Sequence, residues 1–142
     1  MRHWHKLLAV ALVSVVISLF SFYAFCQKLV PDQGLVCDGT CDVVQTSAYG
    51  YVYGIPVSLL GGFAFLLQAC VVIFYIYYPH KLVRLAADAS YIIAPLGALV
   101  FIGIQAFVLH AWCEFCLVVD FGAILTGVAW WAARLTERKH NL

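Results

Sequence analysis

Four long apolar runs limit what this chain can fold into. They cover residues 7–25, 55–78, 92–109 and 115–133, with the fourth helix expected to start at Cys113 and to span residues 113–133. A helix needs about 20 residues to cross the hydrocarbon core of a bilayer. The chain has 142 residues, of which 65% are hydrophobic and 11% charged, whereas a soluble domain is about one quarter charged. The sequence therefore predicts one all-α domain, residues 1–142, that is an integral membrane four-helix bundle.

The positive charges are distributed unevenly among the segments between these runs. Seven of the eight Lys and Arg residues lie before the first run, between the second and third, or after the fourth, and Lys28 alone lies elsewhere. Lys and Arg accumulate in cytoplasmic segments, so we expect both termini in the cytoplasm and the bundle in the inner (plasma) membrane. Segment 26–54 and link 110–114 then lie on the outer face. The net charge of +1 gives no indication of a nucleic-acid partner.

Four of the six cysteines form two close pairs in these outer segments. Cys37 and Cys41 stand in "CDGTC", and Cys113 and Cys116 stand in "CEFC" at the start of the fourth run. Outside the cytoplasm, paired cysteines are either structural disulfides or a redox device. A disulfide across so short a loop constrains the unfolded chain poorly, whereas close spacing lets the second thiol resolve a mixed disulfide quickly. The spacing favours a redox device, with all four cysteines as candidate catalytic residues.

Other uses of these thiols remain open. Four thiolates could form a structural zinc site, the chain could carry a heavy metal such as copper or mercury, or the pairs could be inert disulfides. A zinc CxxC is usually followed by a turn that contains Gly, whereas an apolar run follows Cys116. We therefore expect no bound metal, with a metal-binding membrane protein as the alternative. Cys70 is interpreted as a small apolar residue, and Cys26 has no near partner.

An acidic residue lies inside the fourth apolar run. Asp120 follows Cys116 by four residues, which places both on one face of a helix. A carboxylate there costs about 3 kcal/mol on insertion scales, so it calls for a functional or structural reason. We predict a proton relay or a quinone-binding group; the alternative is an interhelical hydrogen bond to Gln105 or Gln68.

His110 precedes the second cysteine pair and is the other candidate for quinone binding or proton relay. When protonated, a histidine at this position would favour the thiolate form of a neighbouring cysteine. The alternative is an interfacial histidine that only solvates the end of the helix.

A dithiol at the outer edge of a membrane, beside an acid, suits exchange with a carrier dissolved in lipid. Oxidation of two thiols to a disulfide releases two electrons and two protons, and a quinone accepts both. The loop pair lies where a soluble protein could reach it.

The order of these motifs resembles the vitamin K epoxide reductase family, and in particular its bacterial disulfide-forming homologues. The resemblance rests on "CDVVQTSAYG", with Ser47 and Gly50 at the family's spacing after the loop cysteine, on "GIP" at residues 54–56, and on "CEFC" at the start of the last helix. It implies a membrane thiol oxidoreductase with ubiquinone or menaquinone as electron acceptor and a secreted thioredoxin-fold oxidant as partner. Ser47 would support the loop.

The resemblance also implies a role for each cysteine. Cys116 would face the quinone and pair with Cys113, Cys41 would form a disulfide with Cys113, and Cys37 would take electrons from the partner's dithiol. Two positions depart from members that reduce vitamin K epoxide. Asp120 stands where some animal members have a tyrosine, and Val57 replaces an amide, which disfavours vitamin K epoxide as the substrate.

Overall fold

Helices make up most of the part of the chain that the computed structural model describes, residues 3–29 and 39–140. The long helices are α1 (His3–Leu29), α3 (Val57–Tyr77), α4 (Lys81–Gly103) and α5 (Glu114–His140), and a π-helical segment, Ile104–Leu109, extends α4. Four spans in the described residues are long and apolar enough to cross a membrane. They are Trp4–Gln27, Val57–Tyr77, Lys81–Leu109 and Glu114–Glu137. The predicted all-α fold with four membrane helices is confirmed.

The third membrane helix extends well beyond its apolar run. The run starts at Ile92, but α4 begins at Lys81 and includes Arg84 and Asp88. The Nδ1 atom of His80 accepts a hydrogen bond from the amide of Leu82 at 3.3 Å and caps the first turn. Hydropathy marks the part of a helix that lies in lipid, and it does not register the charged turns that continue the helix outside.

The four long helices pack as a ring in which α1 and α4 each contact α3 and α5. Buried side chains form three layers along the bundle. The layer nearest the start of α1 contains Leu7, Val10, Ala11, Val72, Ala87, Tyr91, Trp130 and Ala133. The middle layer contains Ile17, Phe65, Ala98 and Ala123. The last layer contains Cys41, Val44, Ala111 and Cys113, so the cysteines and the N-terminus of α1 lie at opposite ends of the bundle.

Serine hydroxyls join α1 to α3 at close approach. Ser18 donates to the carbonyl of Gly62 at 2.7 Å, and Ser21 donates to the carbonyl of Ser58 at 2.7 Å. Small residues let helix backbones approach in a membrane, and hydroxyl groups then bond across the contact. These two hydrogen bonds hold α1 against α3 in the half of the bundle nearer the cysteine end.

A short compact segment lies at the cysteine end. It consists of α2 (Gly39–Thr46), a 3-10 turn (Ala48–Gly50), and a two-strand hairpin of β1 (Tyr51–Val52) and β2 (Ile55–Pro56). The strands are antiparallel, and Gly54 has a φ of 80° at the tip, which glycine adopts readily. Because Val44 of α2 packs against Ala111, α2 rests on the link between α4 and α5.

Candidate active site

Cys113 is the N-cap residue of α5. Its carbonyl accepts a hydrogen bond from the amide of Leu117 at 2.9 Å, and its sulfur accepts one from the amide of Cys116 at 3.2 Å. A helix over residues 113–133 would place both cysteines in its first turn; instead α5 begins at Glu114, so Cys113 lies just before the first turn. An N-cap side chain normally satisfies an amide of the first turn through oxygen, and here a thiol sulfur does so.

The environment of Cys113 stabilises its thiolate. A hydrogen bond from the Cys116 thiol, together with smaller contributions from the Cys116 amide and the side chains of Cys41 and Gln45, lowers the pKa of Cys113 to about 6 despite its burial. The sequence offered a protonated His110 as one possible contributor to a lowered thiol pKa, whereas in the structure the contributions come from hydrogen-bond donors of Cys116, Cys41 and Gln45. A thiolate is the nucleophile in disulfide exchange, so this environment suits Cys113 to such exchange.

The first loop brings Cys41 to the same place. Cys41 belongs to α2, is only 3% exposed, and packs with Cys113 in one cluster, and its side chain hydrogen-bonds to Cys113. Gln45 lies one helical turn after Cys41 and also bonds to the Cys113 sulfur. We did not single out Gln45 from the sequence, although a polar residue four positions from a candidate cysteine shares its helix face. Cys37 lies outside the described residues.

Gln105 holds the link that carries Cys113. Its backbone carbonyl accepts from the amides of His110 and Ala111, the second at 3.2 Å. Its side-chain Oε1 accepts from the amide of Cys113 at 2.8 Å, and its Nε2 donates to Oδ2 of Asp120 at 3.5 Å. The structure thus contains the hydrogen bond between Asp120 and Gln105 that the alternative named, and the role of Asp120 at a quinone stays a prediction.

A mostly apolar cavity of about 310 Å³ lies directly beneath the thiols. Cys116 and Asp120 both contribute to its wall from α5, as the helical spacing predicted. The remaining wall is chiefly apolar and includes Leu60, Phe65, Phe101, Phe115 and Val119. A volume of this size, apolar with few polar groups, is typical of a site for a small organic ligand. Val57 of α3 also lines the cavity.

His110 and Ser47 do not face the cavity. His110 is exposed, has a left-handed φ of 49°, and ends the π-helical segment. Ser47 donates from its hydroxyl to the carbonyl of Val44 at 2.7 Å, at the end of α2. Gly50 follows so closely that a Cβ there would lie 2.5 Å from the carbonyl oxygen of Gln45. These two positions of the "TSAYG" stretch shape the turn after α2.

Cys26 and Cys70 lie apart from the candidate site. Cys26 and Cys70 are exposed at the surface of the bundle, so Cys70 is not buried in the core, and its interpretation as a small apolar residue stays a prediction. Among residues 3–29 and 39–140, no group of three or more His, Cys, Asp and Glu side chains is arranged to hold a metal ion.

Comparison with known proteins agrees with this geometry. Neither the curated proteins nor the solved structures give a significant match to the chain. The sequence profile described as "Vitamin K epoxide reductase family" matches residues 7–132, which include both cysteine pairs and all of the four long apolar runs except the final residue of the fourth. The chain therefore belongs to the vitamin K epoxide reductase family.

Proposed function

We propose that this protein oxidises the dithiol of a secreted thioredoxin-fold partner and passes the electrons to ubiquinone or menaquinone, which supports disulfide bond formation. Membership in the family implies a multi-pass membrane oxidoreductase that acts on thiols. One observation carries the finer proposal. Cys116 and Asp120 line one apolar cavity, and Cys113 lies between Cys116 and Cys41 of the loop segment.

The burial of Cys113 supports a relay through Cys41. Cys113 is 0% exposed and Cys41 only 3%, so a soluble partner reaches neither sulfur directly, and in this proposal Cys37 of the same loop exchanges with the partner. The partner's dithiol would reduce a Cys37–Cys41 disulfide. The Cys41 thiolate would then attack Cys113 of a Cys113–Cys116 disulfide and release the Cys116 thiolate.

The relay closes without any other reagent. The Cys37 thiolate attacks Cys41, which restores the Cys37–Cys41 disulfide and releases Cys113 as a thiolate. The reduced pair of Cys113 and Cys116 gives two electrons and two protons to the quinone and returns to the disulfide. The low pKa of Cys113 makes it a good leaving group in the step that releases it.

Asp120 is the proposed group for hydrogen bonding or proton transfer at the quinone. It lies on the cavity wall one turn after Cys116. A quinone that contacts the Cys116 thiol would therefore have a ring oxygen within reach of the Asp120 carboxyl group. A positioned carboxyl group transfers protons in many enzymes and accelerates a reaction by about 10²–10⁴-fold. The exposed position of His110 gives no corresponding contact with the cavity.

The orientation in the membrane is part of this proposal. Lys6, Lys81 and Arg134 belong to the helix ends opposite the cysteine layer, which is the arrangement that the positive-inside rule requires for cysteines on the outer face of an inner (plasma) membrane and termini in the cytoplasm. Disulfides persist in an outer compartment because it is oxidising, and the proposed thioredoxin-fold partner would act there.

The test is quinone reduction by the purified chain in lipid discs. A reduced thioredoxin-fold protein supplies the dithiol, and ubiquinone and menaquinone analogues are compared by absorbance. We expect one quinone reduced for each donor dithiol oxidised, and no reaction with a chain that carries both Cys113→Ser and Cys116→Ser. Donor oxidation by the intact chain without quinone consumption would reject the proposal.

A further inference from the structure

The side chain of Gln105 connects the buried thiol to the cavity. It is 1% exposed and has one bond in each direction: Oε1 accepts from the Cys113 amide at 2.8 Å, and Nε2 donates to Asp120 at 3.5 Å. Both bonds end on groups of the candidate site, the Cys113 amide and the Asp120 carboxyl group, and neither ends on the apolar core. A buried amide that lost these partners would incur the cost of unsatisfied polar atoms.

The backbone of Gln105 is tied into the same link. Its carbonyl accepts from the amides of both His110 and Ala111, at the end of the π-helical segment. Such π-helical turns insert an extra residue into a helix and occur often at functional sites. The same residue thus fixes the course of the chain toward Cys113 and, through its side chain, the position of the Cys113 amide.

We propose that Gln105 is a positioning residue that couples Asp120 at the cavity to the redox equilibrium of Cys113 and Cys116. Through Oε1 it holds the N-cap that presents the Cys113 sulfur to the Cys116 amide, and through Nε2 it holds the Asp120 carboxyl group. A change at Asp120 therefore reaches the dithiol through one amide group. The proposal rests on the proposed function for its purpose, but the coupling itself requires neither quinone nor partner.

A double-mutant cycle tests the coupling. The full-length chain carries Cys26→Ser, Cys70→Ala, Cys37→Ser and Cys41→Ser, so that only Cys113 and Cys116 are titrated. The equilibrium constant between dithiol and disulfide is measured in dithiothreitol redox buffers for four proteins: this parent, Gln105→Leu, Asp120→Ala, and the double variant. Acid quenching, thiol labelling and mass spectrometry give the reduced fraction.

Substitutions at residues that share a hydrogen-bond network have non-additive effects on a free energy. Substitutions at independent residues have effects that combine to within about twofold in an equilibrium constant. We expect the effect of Asp120→Ala on the equilibrium constant to differ by about threefold or more between the parent and the Gln105→Leu variant. Equal effects in both backgrounds would show that Asp120 acts on the thiols through space, which overturns the proposal, as would no effect of Asp120→Ala in either.

A second variant keeps the test decisive if Gln105→Leu does not fold. Gln105→Asn retains the amide but is one methylene shorter, and since the bond to Asp120 is already 3.5 Å long, the shorter chain cannot hold both groups. The same loss of coupling is expected, and full coupling in the Asn variant would contradict the proposal. Failure of the proposed function has a separate sign: the unmodified chain would not reduce quinone, whatever the outcome of the cycle.

Discussion

The backbone amide of Cys116 lies 3.2 Å from the sulfur of Cys113 and donates a hydrogen bond to it. The two cysteines of the "CEFC" motif are thus related as an N-cap and the third residue of a helix. An anionic sulfur at this position gains both from unpaired amides and from the helix dipole. The motif thus places a stabilised thiolate, and a second thiol that could resolve its mixed disulfides, at the start of one helix.

The first prediction concerns the titration of Cys113. Because its pKa is lowered to about 6, the thiolate is present at pH 7 and is lost as the pH falls through about 6. Cys116→Ala removes the thiol donor, which is the largest cause, and should raise the midpoint by about one unit or more. Cys116→Ser keeps a hydroxyl donor and should shift it less. The measurement is thiolate ultraviolet absorbance against pH in the reduced chain, with Cys113→Ala as the blank.

A midpoint near the ordinary thiol value in the unmodified chain would contradict this assignment. No shift in either the Ala or the Ser variant would instead assign the effect to groups that both variants retain, such as the backbone amide of residue 116.

The second prediction concerns the bridge between the loop and the membrane pair. Cys41 and Cys113 are buried in one cluster, and Cys116→Ser removes one of the two thiolates that would reopen a bond between them, which leaves Cys37 alone to do so. A Cys41–Cys113 disulfide should therefore accumulate in that variant under oxidising conditions. Peptide mapping after alkylation, without reduction, identifies the pair. Cys70→Ala is the control and should leave the disulfide pattern unchanged. A Cys37–Cys41 disulfide with no trace of the bridge in Cys116→Ser, together with no bridge in the Cys37→Ser and Cys116→Ser double variant, would refute the order of exchange.

The third prediction concerns Asp120. Asp120→Asn preserves the shape but cannot exchange a proton, so quinone reduction should slow by about 10²-fold. Thiol exchange between the partner and the loop cysteines should continue at its normal rate. The control is Glu114→Gln, an exposed carboxyl group on the same helix that does not line the cavity. If the Asn variant reduces quinone normally across pH, or if its activity falls only in step with protein yield, Asp120 has a structural role instead.

The fourth prediction concerns orientation. A reporter that works only in the cytoplasm should be active when it is fused after Lys139, and a reporter that works only in the outer compartment should be inactive there. The reason is that seven of the eight Lys and Arg residues lie in segments assigned to the cytoplasmic side. A fusion at Gly54, at the hairpin tip, should behave in the opposite way. Activity of the Lys139 fusion in the outer compartment alone would overturn the orientation and place the cysteines in a reducing space.

The fifth prediction concerns packing between α4 and α5. A Cβ at Gly127 would lie 2.5 Å from Cγ of Pro95 and 3.1 Å from the carbonyl oxygen of Tyr91. Gly127→Ala should therefore lower stability by about 1–3 kcal/mol, seen as a lower apparent melting temperature in detergent. Gly103→Ala is the matched control, because nothing lies within 4 Å of its added Cβ. Equal melting temperatures for both variants would show that the α4–α5 contact can separate without cost.

The sequence by itself determined the fold class, the family and much of the site. Four apolar runs are a local property of the chain, and a run of about 20 such residues has few stable states other than a membrane helix. The approach of Asp120 to Cys116 also followed from local geometry, since residues four apart share a helix face. The order of the cysteine motifs indicated the family, which the match over residues 7–132 confirms.

Tertiary structure alone decided which groups act on Cys113. Its contacts with Cys41 and Gln45 depend on how α2 rests on the bundle, and its contact with Gln105 depends on a π-helical turn that no local pattern marked. The same turn leaves His110 exposed, although the sequence places it only three residues before the thiol. Periodicity predicts neighbours within a helix, whereas contacts between segments are set by the packing of the whole bundle.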